Sequence, residues 1–156
     1  VSEHEWASRD AIAALIPHQG SMCLLERVLE WDTERILLAT ATHRSPDNPL
    51  RSRGRLRALH LCEYGAQAAA VHGGLLARAA GSRARPGLLV SLRDVELHRD
   101  YIDDLSGELE IEATRLIESG GSRQYAFAAR SGGIPLAEGR AAVIMDPAAK
   151  ADRHPG

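Results

Sequence analysis

One carboxylate lies inside the longest apolar stretch of the chain. Glu63 sits within residues 59–76, with His60 three residues before it and Gln67 four residues after. At helical spacing these three share one face. An acid in apolar surroundings is costly unless it is paired or used, and burial raises a carboxyl pKa toward the range of a proton donor. Glu63 is therefore the candidate general acid. The competing reading is a structural carboxylate held by an arginine or a backbone cap. Gln67 either orients the acid and its substrate or packs in the core with a hydrogen bond. His18 follows Pro17 in a Pro-His-Gln-Gly turn, where a loop-anchoring role competes with that of a base. His60 reads as a partner of Glu63, and His72 as packing. His43 and His98 show no partner at this level. Arg51, Arg53, Arg55 and Arg57 alternate around Gly54 just ahead of the apolar stretch. Such a row is either a solvated edge or a patch for an acidic or phosphate-bearing partner.

The stretch that carries Glu63 is too long for an ordinary strand and rich in alanine, the best helix former. Small residues on nearly every side predict a helix buried all round. Gly65, Gly73 and Gly74 each cost such a helix about 1 kcal/mol against alanine, which points to close approach of other backbone. Ahead of it, Ser8 is placed to cap a short helix over 9–15 that Pro17 ends. Residues 22–31 and 35–43 read as a hairpin. Behind it, 88–99 alternates with one slip near Asp94, the mark of a bulge. Residues 107–117, 123–130 and 134–145 complete a meander of strands. The expected architecture is α+β: a hotdog fold, one long central helix wrapped by a curved antiparallel sheet, in a single domain over 8–146. Residues 1–7 and 147–156 are expected to be flexible ends. An open sheet edge and an uncovered helix flank predict a homodimer or higher homo-oligomer.

Composition excludes several classes. A net charge of −2 and a single Phe argue against a nucleic-acid binder, which needs a basic surface or stacking rings. Cys23 and Cys62 form no Cys-x-x-Cys pair, so neither a zinc site nor a disulfide scaffold is expected, and a reducing cytoplasmic setting follows. The acidic start, Glu3, Glu5 and Asp10, does not read as a signal peptide. No apolar run reaches the roughly 20 residues of a membrane span. There is no dinucleotide fingerprint and no phosphate loop, so no cofactor and no metal are expected.

Two motifs carry a family resemblance. Residues 17–30, running Pro-His-Gln-Gly-Ser-Met-Cys-Leu-Leu-Glu-Arg-Val-Leu-Glu, resemble the entry segment of FabZ-type 3-hydroxyacyl-acyl-carrier-protein dehydratases. Glu63-Tyr64-Gly65-Ala66-Gln67-Ala68 is similar to the Glu-Ala-x-Ala-Gln run on that family's central helix, whose glutamate is catalytic. Asn-Pro, Gly-Arg-Leu and Glu-Tyr-x-Ala-Gln elements look most like the dehydratase-like proteins of aryl-polyene pathways. The likeness covers roughly residues 10–145. One element departs from it: the family's Gly-His-Phe-Pro segment, which supplies the base, has no histidine counterpart within 48–57.

The resemblance implies a dehydratase, or dehydratase-like protein, acting on acyl thioesters of an acyl carrier protein or coenzyme A in fatty-acid or aryl-polyene assembly. Dehydration needs a base for the proton next to the carbonyl, an acid for the departing hydroxyl, and donors for the thioester oxygen. Glu63 is assigned as the acid and His18 as the first candidate base, with His60 the second. Gln67, His60 and the backbone around Ala58 and Leu59 would meet the substrate. Arg53, Arg55 and Arg57 would dock the acidic carrier. The alternatives are a hotdog thioesterase, in which Glu63 activates water, and a non-catalytic carrier-binding subunit.

Overall fold

The computed structural model describes residues 9–15, 22–82, 87–119 and 122–145. The expected flexible ends, the Ser8 cap and the Pro17–Gly20 turn lie outside them. A short helix α1 (Arg9–Ala13) is followed by the hairpin β1 (Arg27–Trp31) and β2 (Arg35–Thr40). A single 3-10 turn, Ala58–His60, leads into α2 (Leu61–Ala79); then come β3 (Gly87–Leu97), β4 (Leu109–Ser119), β5 (Ser122–Ser131) and β6 (Ile134–Met145). All six strands form one antiparallel sheet in the order β1-β2-β4-β5-β6-β3. One long helix against one antiparallel sheet is the hotdog arrangement expected from the sequence.

Alternation explains which face packs. Leu109, Ile111 and Ala113 of β4 and Tyr125, Phe127 and Ala129 of β5 are buried against α2. Their neighbours face outward, where Arg35 bridges Glu30 at 2.6 Å and Glu112 at 2.9 Å, and Arg130 meets Glu110 at 3.0 Å. From α2, Leu61, Tyr64, Ala68, Val71 and Leu75 are buried in the same core. The helix approaches β5 closely at Gly65. A Cβ there would lie 2.5 Å from the Phe127 ring. Gly65 therefore makes room for the Phe127 side chain, and Gly74 for both the side chain and the backbone carbonyl of Leu15, which a Cβ would meet at 3.1 and 3.3 Å.

Three expectations need correction. The first strand begins at Arg27 and not at residue 22, because the entry segment is held by side chains instead of a ladder. The Leu24 amide donates to Gln67 Oε1 at 2.9 Å, and the Leu24 carbonyl accepts from Thr40 and Thr42, each at 2.6 Å. The second strand stops at Thr40, and Thr42–Arg44 forms a 3-10 turn. Of the strands after α2, β4, β5 and β6 form the expected meander, but β3 lies outside it: β3 pairs with β6, while β4 pairs with β2. The connection from β3 to β4 runs past the start of α2. There Ala58 donates to the Asp100 carbonyl at 2.8 Å and Ile102 to that of Leu56 at 2.9 Å. The slip near Asp94 is a true bulge, with Asp94 at φ 53° and the register shifting between Arg93 and Glu96.

Candidate active site

Glu63 lies in the first turn of α2 and is half-buried, not fully enclosed as its apolar neighbours suggested. Gln67 sits one turn on, 1% exposed. Its Nε2 donates to the Met22 carbonyl at 2.7 Å and lies 3.4 Å from Glu63 Oε1, while its Oε1 accepts from Leu24. One amide thus ties the entry segment to the helix and bears on the acid. Its carbonyl oxygen and its best donor are spent on backbone, and its contact with Glu63 is the longer one.

The next residue of the helix, Tyr64, is fully buried, and its hydroxyl reaches Thr42 Oγ1 at 2.8 Å and accepts from Asn48 Nδ2 at 3.1 Å. Asn48 Nδ2 also donates to the Thr42 carbonyl at 2.9 Å, and Asn48 Oδ1 accepts from the Leu50 amide at 2.9 Å. Arg51 completes the anchorage of this loop by donating to the carbonyls of Ser45, Gly54 and His43. Sequence reasoning read residues 45–57 as plain loop. The Asn-Pro pair in it was the available signal for a side-chain-stapled segment, because asparagine bonds to nearby backbone.

The backbone around Ala58 and Leu59 was the expected oxyanion donor. The Ala58 amide is already taken by Asp100, and that of His60 donates to Arg57 at 3.1 Å. Of the expected pair, the Ala58 amide is therefore not available to a thioester oxygen as the chain stands.

The histidines separate clearly. His18 lies outside the described residues. His60 is half-buried at the residue before α2. His43 is fully buried with Nε2 donating to the Leu105 carbonyl at 2.9 Å, and burial first, then the charge of Arg44 and Arg51 over the opposing backbone bonds, pushes its pKa down. His72 is fully buried too. Its Nε2 donates to the Asp32 carbonyl at 2.7 Å, which leaves Nδ1 to accept from the Tyr125 hydroxyl at 2.8 Å. Burial again lowers its pKa. Both are neutral structural groups. His98 is exposed, 3.4 Å from Glu138, and with Glu96 forms a cluster on the outer sheet face.

The arginines separate as well. Arg53 and Gly54, both at positive φ, form the tip of a tight turn closed by Ser52 and Arg55. Arg55 Nε binds both carboxylate oxygens of Asp103, at 3.0 and 3.2 Å, and its guanidinium lies 4.0 Å from the Tyr101 ring centroid. Arg57 lines a cleft with Leu59, Leu97, Arg99, Asp100 and Tyr101.

Comparison with known proteins adds the following. The profile of the ApeP-like family, described as ApeP dehydratase, matches residues 10–153. The dehydratase heterocomplex ApeI:P from Xenorhabdus doucetiae superposes with a TM-score of 0.81 at 20% identity, over 91% of this chain and 95% of that one. AziG from S. sahachiroi gives 0.57 at 15% identity, over 80% and 91%. A hypothetical thioesterase with coenzyme A from Streptococcus pneumoniae gives 0.57 at 9% identity, over 77% and 84%. No curated protein sequence matches. Among the described residues no helix is long and apolar enough to cross a membrane.

Proposed function

The chain belongs to the ApeP-like dehydratase family, and from that premise we propose that Glu63 is the proton donor in the dehydration of 3-hydroxyacyl thioesters in aryl-polyene assembly. The observation that carries the reading is the Glu63–Gln67 pair. A half-buried carboxylate on the central helix is held one turn from an amide that also fixes the entry segment bearing the first family motif. In the reaction a base takes the proton from the carbon next to the carbonyl. Electrons move to form the double bond, and Glu63 protonates the departing hydroxyl, leaving an enoyl thioester and water.

The base comes from His18, from His60 as second candidate, or from a second subunit. In the loop that joins β2 to α2, stapled by Asn48 and Arg51, His43 is locked on Leu105 and His60 is fixed at the start of the helix that carries Glu63, which favours a site completed by a partner. The solved relative described as an ApeI:P heterocomplex supports the same arrangement. In this reading the chain is the acid-bearing half of a paired dehydratase, and the partner is a second hotdog subunit laid along β3. A homodimer with His18 as base is the other form of the pairing. Turnover of a 3-hydroxyacyl thioester by the chain alone, and by the chain mixed with a hotdog dehydratase that has the Gly-His-Phe-Pro segment, separates the two. Activity alone that His18→Ala abolishes assigns the base to His18, and activity only in the mixture assigns it to the partner.

A further inference from the structure

We propose that Thr42 is a positioning residue for Glu63, linked to the acid by a relay of hydrogen bonds through the Leu24 main chain and Gln67 and held in place by Tyr64. The proposal rests on the reading of Glu63 as the proton donor. Leu24 is buried in the entry segment, where no strand ladder reaches it, so its main-chain groups need side-chain partners. They find them on two different elements. Thr40, at the end of β2, and Thr42, just past it, both donate to the Leu24 carbonyl at 2.6 Å. Gln67 of α2 accepts from the Leu24 amide at 2.9 Å.

The donors on the Thr42 side point one way. A hydroxyl carries one proton and accepts through its lone pairs. The Thr42 proton is committed to the Leu24 carbonyl, so in the 2.8 Å contact between the two hydroxyls Tyr64 donates and Thr42 accepts. The Tyr64 oxygen accepts in turn from Asn48 Nδ2 at 3.1 Å. Hydrogen bonds joined in one direction polarise and strengthen each other. On the other side of Leu24 the Gln67 amide is fixed at both ends, with Oε1 on the Leu24 amide and Nε2 on the Met22 carbonyl at 2.7 Å. The same Nε2 lies 3.4 Å from Glu63 Oε1. That contact is long, and a small shift of Leu24 makes or breaks it. Tyr64 and Gln67 leave α2 three residues apart and so stand on neighbouring positions of the helix that bears Glu63. Leu24 is clamped between them, and Thr42 is the residue whose hydroxyl touches both Leu24 and Tyr64. A staple that served the loop alone would end at Asn48 and Tyr64. This one continues to the amide that faces the acid.

Turnover of a 3-hydroxyacyl thioester by the intact protein, with its partner subunit where one is required, tests the assignment. Thr42→Val keeps the shape of the side chain and removes the hydroxyl. It is expected to lower kcat about tenfold or more with KM unchanged, the mark of a misplaced catalytic group, and Thr42→Ser to restore kcat. Tyr64→Phe, which keeps the ring, should lower kcat in the same way. In a Gln67→Ala background Thr42→Val should cost nothing further, because the relay then has no route to Glu63. The side-chain amide resonances of Gln67, identified by their loss in Gln67→Ala, should move in Thr42→Val and return in Thr42→Ser, a readout that needs no turnover. Unchanged kcat in Thr42→Val overturns the proposal, as does a loss that falls on KM or that Thr42→Ser fails to repair. A kcat loss that merely tracks the unfolded fraction, or that persists in full in the Gln67→Ala background, overturns it too. Gln67 resonances that move as expected in a protein whose turnover survives Glu63→Gln would instead contradict the assignment of the acid and leave the relay standing.

Discussion

At the scale of single residues, several polar side chains around Glu63 hold the chain's own backbone. Gln67, Asn48 and Arg51 each satisfy several main-chain groups that no ladder reaches, and this explains why a short entry segment and an irregular loop keep a fixed position beside Glu63. His43 and His72 belong to the same class and give stability a pH dependence. Both are buried with lowered pKa values, burial being the first cause, so the unfolded chain takes up protons that the folded chain refuses. Stability is then full above the ordinary histidine pKa of about 6.5 and falls as pH drops below it. For His72 the neighbouring charges of Arg115 and Arg123 add to the effect and Asp32 opposes it. Thermal unfolding followed from pH 7.5 to 5 should show this fall, and His72→Gln, which keeps a donor and an acceptor without a titrating ring, should flatten it. An unchanged slope in the variant would mean that His72 is protonated in the fold. The sequence made Glu63 and Gln67 legible because they occur in one helical register. It could not rank the four arginines, because Arg55 and Arg57 are set apart by Asp103 and Tyr101, which are distant in the chain and meet them only through the β3–β4 connection.

At the scale of elements, the fit between α2 and β5 depends on one glycine. Gly65 leaves the space that the Phe127 ring fills, and Phe127 in turn rests on Gly139 and Val95. Gly65→Ala is expected to destabilise by about 1–3 kcal/mol despite the better helix propensity of alanine, because the added methyl overpacks a rigid contact. That corresponds to a lowering of Tm by about 2–4 °C for each kcal/mol. A rise in Tm would show that Phe127 yields without cost. The elements themselves were legible from periodicity: β6 occupies the residues expected of it, and β3 to β5 shift by only a few positions. The pairing of β3 with β6 was not legible. Alternation says which face of a strand is buried and is silent about which strand lies beside it. The start of β1 was misplaced for a related reason, since an apolar run anchored by Gln67 and two threonines has the same pattern as a paired strand.

At the scale of the whole molecule, the sheet ends on β3, an eleven-residue strand with a neighbour on one side only. β1, at the other end, is five residues long. A long unpaired edge invites another chain, and Leu92, 40% exposed on β3, is an apolar residue placed for such a contact. If the proposed pairing uses this edge, Leu92→Glu should shift the assembly toward monomer in sedimentation at micromolar concentration; an unchanged mass would place the interface elsewhere. The central claim, that Glu63 donates the proton to the departing hydroxyl, is tested most directly by following enoyl absorbance on a 3-hydroxyacyl thioester with the intact protein and with Glu63→Gln, each supplied with the same partner subunit. The account predicts enoyl formation by the intact protein and a loss of about 100-fold or more in the variant, the usual scale for removal of a general acid, at an unchanged assembly state. Full turnover by Glu63→Gln in a correctly assembled sample would contradict it.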